Sequence, residues 1–250
     1  MRRAAGARLA LAGATALGLV VAVGLWWPRP AAIGADVPLP EASAGDDGRL
    51  VIAVLGTSLT AGYDWPERLG TRLSGCLEKP VEVVPVARGG ATSRWGARQL
   101  ADVAASKPDL VLVEFSINDA DLRRGVSLQE SARLHRRILN GLAERAPDAG
   151  VVLMSMSPAW GSKRLLRPRL ARYYALYPEL AAEEAAGFVD LYREWMAYPR
   201  AGAAFPDGVH PMPAAAREVI LPALIQYLLA ALSPATGTGP KAGCPALPRG

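Results

Sequence analysis

Histidine, cysteine and phenylalanine are scarce in this 250-residue chain, with two, two and three copies. So few histidines and cysteines, far apart in sequence, leave no metal-ligand spacing, and no metal site is expected. No repeat recurs at 20–50 residues, which argues against solenoids and propellers. Basic charge is also scarce once its position is considered. The net charge is +5, but Arg2, Arg3, Arg8 and Arg29 all fall within residues 1–35, which hold no acid. The remainder carries 24 basic against 23 acidic residues. A nearly neutral domain has no basic stripe for nucleic acid. With 51% apolar and 20% charged residues, the chain has the composition of a folded protein, and its length suits one substantial domain.

The opening reads as a targeting segment. Arg2, Arg3 and Arg8 precede the uncharged stretch LALAGATALGLVVAVGLWW, residues 9–27, in the n-region and h-region order of a signal sequence. The stretch also just reaches bilayer-spanning length, and the following Trp-Trp-Pro-Arg suits a membrane interface. Residues 1–27 are therefore either an uncleaved membrane anchor or a signal sequence, with Ala35 as a cleavage point. Both readings place the domain outside the cytoplasm. An oxidising compartment favours a disulfide between Cys76 and Cys244; the alternative is two free thiols. Residues 28–48, rich in Pro, Gly, Ala and Ser, read as a linker, and residues 233–250 as a Pro/Gly-rich tail.

Between them, over 49–232, strand-like and helix-like segments alternate. LVIAVLG (50–56), VEVVPVA (81–87), LVLVEF (110–115), VVLMSM (151–156) and GFVDL (187–191) are short apolar runs rich in β-branched residues, as strands buried on both faces are. Helical patterns fill roughly 64–77, 92–105, 128–146, 168–186 and 214–232. The alternation predicts an α/β fold with one parallel sheet covered on both sides. Ligands bind such sheets at the carboxyl ends of the strands.

Four of those ends carry chemistry. The first strand runs into GTSLTAG, where Ser58 lies on a strand-to-helix turn, placed as an exposed nucleophile with its N–H near a helix N-terminus. The second runs into ARGGATS, whose Gly89 or Gly90 lets the backbone approach a ligand. The third runs into FSINDAD, where Asn118 offers a side-chain amide and Asp119 a brace for the loop. Before the last helix comes DGVHP, with Asp207 and His210 at i, i+3. A carboxylate there can hold the tautomer of a histidine acting as base. Each pattern alone is ordinary turn or capping chemistry. Together they supply a nucleophile, a base with its orienter, and oxyanion donors, the inventory for acyl transfer from an activated serine.

In the order and spacing of these blocks, residues 50–232 resemble the SGNH/GDSL hydrolase superfamily. The resemblance implies a three-layer α/β/α sandwich with a five-stranded parallel sheet, flavodoxin-like in order, and an esterase, lipase, thioesterase or deacetylase activity. It makes Ser58 the nucleophile, His210 the base and Asp207 the orienting acid. The Ser58 N–H, Gly90 and Asn118 would form the oxyanion hole, and no cofactor is implied. RYYALYPELA (172–181) is similar to the helix before the fifth strand in the single-domain esterase and lysophospholipase branch. Three positions depart from the family pattern. Thr57 replaces Asp, Ser116 stands where Gly is common, and no Asn precedes Gly90, which leaves Gly89 as its rival.

The reading is an extracytoplasmic serine esterase acting on an ester-bearing small molecule, glycan or lipid, with a short-chain or acetyl ester first. It would meet the membrane through residues 9–27 if these remain. An O-acyltransferase with the same triad, and a binding domain that has lost turnover, are the alternatives. Specificity is expected from loops 59–66, 118–127 and 157–168, with Trp160 either bordering the site or packing beside the sheet. His135, among arginines in a helix capped by Ser127 and Glu130, is expected on the surface. Arg164, Arg167, Arg169 and Arg172 are expected to form a solvated basic face.

Overall fold

The computed structural model describes residues 33–40, 48–199, 201–232 and 244. The apolar segment 9–27 and all of the tail but Cys244 lie outside the described residues. Five strands form one parallel sheet: β1 (Leu50–Gly56), β2 (Val81–Ala87), β3 (Leu110–Val113), β4 (Gly150–Ser155) and β5 (Gly187–Asp190), in the order β2-β1-β3-β4-β5. β1, β3 and β5 are buried along their whole length, because helices cover both faces and leave no side of the strand for water.

After β1 come α1 (Ser58–Ala61) and α2 (Trp65–Leu77); after β2, α3 (Ser93–Gly96) and α4 (Leu100–Ala105). α5 (Ser116–Asp119) and α6 (Leu128–Arg145) follow β3, and α7 (Gly161–Leu165) and α8 (Leu170–Glu183) follow β4. β5 leads into α9 (Leu191–Ala197) and α10 (Pro213–Leu232). α2 and α10 pack together on one face, while α4, α6 and α8 form the opposite layer. This is the parallel sheet covered on both sides that the alternation of segments implied, and the α/β/α sandwich that the resemblance implied. The strand order reverses at β1, with β2 on one side and β3 on the other. The crevice at the carboxyl ends of β1 and β3 is therefore the expected ligand site.

Three local departures have physical causes. The helix expected over 92–105 breaks after Gly96, which lies so close to the Phe115 ring that a Cβ there would collide with it. The strand expected to end at Phe115 ends at Val113, because the Glu114 side chain turns inward under the loop after β1. And part of the expected linker 28–48 is not free: Val37 makes an antiparallel bridge to Phe188, exchanging two N–H···O bonds of 2.9 Å. β5 is an edge strand whose outer amides need partners; Val37 supplies them. Ile33 and Leu39 are buried in the same core.

By length and composition α10 could cross a membrane, yet Ile220, Leu224 and Leu228 lie in the core of the domain, where α10 is a packing helix. At the end of α2, Cys76 forms a disulfide with Cys244, 168 residues away, with Cα atoms 4.5 Å apart.

Candidate active site

Ser58 is the first residue of α1, and Thr57 caps that helix by accepting the Leu59 N–H at 3.2 Å. Under this turn lies Glu114, fully buried. Its Oε1 accepts the Thr57 N–H at 2.5 Å and the Thr60 hydroxyl at 2.9 Å, and the Thr57 hydroxyl lies 2.9 and 3.0 Å from its two oxygens. Gly56 leaves room for the carboxyl group; any Cβ there would collide with it. The turn that carries Ser58 thus rests on one buried acid held by an amide and two hydroxyls.

Burial pushes the Glu114 carboxyl up to about 7 from 4.5, against the downward pull of the Thr57 amide and the two threonine hydroxyls. A carboxyl whose pKa rises on folding stabilises the fold below its unfolded value and loses that contribution as pH climbs through the folded one. Wild-type stability should therefore fall between pH 4.5 and about 7, by on the order of 3 kcal/mol from this group. Glu114→Gln should flatten that fall in urea unfolding; parallel pH profiles for the two proteins would contradict it.

The pentapeptide DGVHP closes the site from the other end of the chain. Asp207 Oδ1 accepts the N–H groups of Val209 (2.9 Å) and His210 (2.7 Å), forming an Asx-type turn. Only glycine fits at 208, where φ is +83° and a Cβ would stand 2.5 Å from the Trp160 carbonyl oxygen. The Trp160 backbone N–H donates to the Gly208 carbonyl at 2.8 Å, and the Tyr63 hydroxyl donates to the Pro211 carbonyl at 2.7 Å. With both sides of the loop tied down, the His210 ring is aimed. Its Nδ1–H donates to Asp207 Oδ2 at 2.7 Å, and Nε2 accepts the Ser58 hydroxyl at 2.8 Å. Partial desolvation alone would raise the Asp207 carboxyl, but hydrogen bonds from the His210 ring and from the His210 and Val209 amides hold it well below the usual carboxylate range. It stays charged wherever the imidazole works as a base.

Asn118 lies on α5, nearly buried, and its Nδ2 donates to the Ala91 carbonyl at 2.9 Å. That bond joins the loop after β3 to the turn after β2, where Gly90 has φ +69°. A Cβ on Gly89 would meet nothing, so Gly90 is the position that requires glycine. Among the described residues no acceptor takes the Ser58 or Gly90 N–H, and Nδ2 of Asn118 has a second hydrogen to give.

A buried network braces this corner. Asp119 accepts the Ser93 N–H at 2.9 Å and the Ser131 hydroxyl at 2.7 Å. The Tyr177 hydroxyl accepts the N–H groups of Phe115 and Ser116, both at 3.1 Å, and donates to His135 Nε2 at 3.0 Å. His135 Nδ1–H donates to the Ser131 carbonyl at 2.8 Å. The expectation of a surface histidine is therefore wrong: His135 is fully buried, and burial lowers its pKa so that it stays neutral. Its arginine neighbours suggested exposure, but Leu128, Ser131, His135, Ile138 and Leu142 are spaced 3, 4, 3 and 4 apart, one face of a helix. The solvated basic face needs a similar correction. Arg167 is buried, paired with Asp121 at 2.8 Å and donating to the Ile117 carbonyl at 2.7 Å. Trp160 packs with Phe205 in a small cluster behind the His210 loop. Sequence reasoning missed the role of Glu114; a lone acid ending an otherwise apolar strand was its signal.

The model of the GDSL-like lipase/acylhydrolase family matches residues 54–217. No curated protein matches the chain. Solved structures do. A lipase/acylhydrolase from Enterococcus faecalis is 22% identical, covering 75% of this chain and 100% of its own, with TM-score 0.65. Axe2, an acetylxylan esterase from Geobacillus stearothermophilus, is 22% identical over 74% of this chain and 95% of its own, with TM-score 0.62. TesA is 24% identical over 73% and 99%, with TM-score 0.59. At these identities the structures show a shared fold. The family match runs from the end of β1 through the Ser58 turn, the Asn118 loop and the His210 loop, and with it the chain belongs to the GDSL-like lipase/acylhydrolase family, as a serine ester hydrolase.

Proposed function

We propose that this chain is an extracytoplasmic esterase that cleaves short-chain or O-acetyl esters through an acyl-enzyme on Ser58. The observation that carries the reading is the unbroken hydrogen-bond line Ser58 Oγ–His210–Asp207 at the carboxyl edge of the sheet. Ser58 Oγ attacks the ester carbonyl while His210 Nε2 takes its proton; Asp207 stabilises the imidazolium. The carbonyl oxygen, now negative, is received by the Ser58 and Gly90 N–H groups and Asn118 Nδ2. His210 returns the proton to the departing alkoxide, and a water activated by the same nitrogen releases the acid. The acetylxylan esterase activity of Axe2 supports a short acyl group. The Cys76–Cys244 bridge and the apolar segment 9–27 support an oxidising location outside the cytoplasm.

The test is hydrolysis of p-nitrophenyl acetate against the octanoate, with fluorophosphonate labelling of the same sample. Acetate preference and a label on Ser58 are expected. Absence of turnover and of labelling would leave a binding domain of the same fold. Asn118→Ala should lower kcat by about 10²–10³, as loss of one oxyanion donor does, with KM little changed. A rise in KM at constant kcat would instead assign Asn118 to substrate binding.

A further inference from the structure

Four arginines surround the turn that follows Asn118, and three of them have carboxylate partners. Arg94 pairs with both oxygens of Glu130 at 2.7 Å. Arg123 and Arg167 share the Asp121 carboxylate, at 2.6 and 2.8 Å. Arg124 has no carboxylate partner among the described residues. Its guanidinium lies instead against Gly90: a Cβ on that glycine would stand 2.6 Å from one terminal nitrogen and 3.4 Å from Cζ.

The turn is held to keep it there. The Leu122 N–H donates to the Leu166 carbonyl at 2.9 Å. Arg94 donates to the Arg124 and Gly125 carbonyls at 3.1 and 2.9 Å, and the Tyr173 hydroxyl to the Val126 carbonyl at 2.7 Å. Gly125, at φ +62°, closes the turn in the left-handed conformation. Glu130 reaches forward to Arg94, so its carboxylate serves this clamp while Ser127 caps the helix. A clamp on four backbone groups, with one exposed cation laid against Gly90, is more than a solvated arginine needs.

We infer that Arg124 is a specificity-determining residue that receives an anionic group, a carboxylate or phosphate, carried by the ester substrate close to the scissile carbonyl. This rests on the esterase reading above. A guanidinium binds carboxylate and phosphate oxygens through paired N–H donors, which an ammonium cannot reproduce. With the carbonyl oxygen near Gly90, the guanidinium beside that residue lies next to the reacting centre, within reach of a charge a few bonds away. The charge sits on the acyl or on the alcohol part, and matched esters separate the two.

The experiment measures kcat/KM for two pairs of twins, each one anionic and one neutral. 4-Nitrophenyl hydrogen succinate against 4-nitrophenyl butyrate places the charge on the acyl side. 4-Acetoxybenzoate against its methyl ester places it on the alcohol side. Wild type should favour the anionic member of one pair by about tenfold to a hundredfold after correction for intrinsic reactivity, and 0.5 M salt should erode the preference. Arg124→Met should collapse that ratio, and Arg124→Lys should restore part of it. Glu130→Gln, which loosens the clamp without touching Arg124, should lower it by less. No preference in either pair would overturn the inference, as would an Arg124→Met variant that slows both members alike. Neutral esters turned over and Ser58 labelled, with no anion preference, would sink this inference and leave the esterase standing. If no ester is cleaved and Ser58 does not label, both fall.

Discussion

Ser58→Ala and His210→Ala should each lower kcat for p-nitrophenyl acetate by about 10⁶, and the double variant should lose no more than either single one. The geometry dictates both magnitude and non-additivity. Ser58 Oγ has one base, His210 Nε2 at 2.8 Å, and an alcohol with no base at neutral pH is a poor nucleophile. Once either partner is gone the other has no task, so the second deletion finds nothing left to remove. What remains should come from the proposed oxyanion donors, the Ser58 and Gly90 amides and Asn118, since such donors act whether or not a nucleophile is present. Effects that multiply across the double variant would show that Ser58 and His210 do not act as one unit.

The second large effect is on stability. Reducing the Cys76–Cys244 bridge, or replacing both residues by Ser, should cost about 3–5 kcal/mol, since a closed loop of 168 residues lies near the upper end of the chain-entropy relation. For a domain of this size, that lowers Tm by roughly 10 °C. Cys76 ends α2, which packs against α10, so the bridge ties the segment after α10 back to a helix on the same face of the sheet. The loss should be independent of the site: activity below the lowered Tm should persist, and thermal unfolding with and without reductant should show the difference. An unchanged Tm would mean that the packing of α10 alone holds this end of the chain.

Much of the fold was legible because its signals are local. Apolar, β-branched runs at the five strand positions declare strands buried on both faces, and the residues after them fall at one edge of the sheet whatever the details. DGVHP was legible for the same reason: a carboxylate and an imidazole three apart meet within one turn. The buried polar residues were not. His135 depends on Tyr177, 42 residues on, and Arg167 on Asp121; Glu114 depends on threonines 54–57 residues earlier. A polar side chain is buried only where a partner from another element awaits it. Local charge density therefore misled at 135 and 167. The strap at Val37 was hidden because an edge strand recruits backbone, and backbone has no sequence signature.

Ser58 and His210 are 152 residues apart, and the second comes from the final loop before the last helix. A chain in the course of synthesis thus carries a serine with no base beside it. Activity begins only when the last loop docks on the finished sheet, between its ties at Tyr63 and Trp160. The enzyme is silent for as long as it is incomplete.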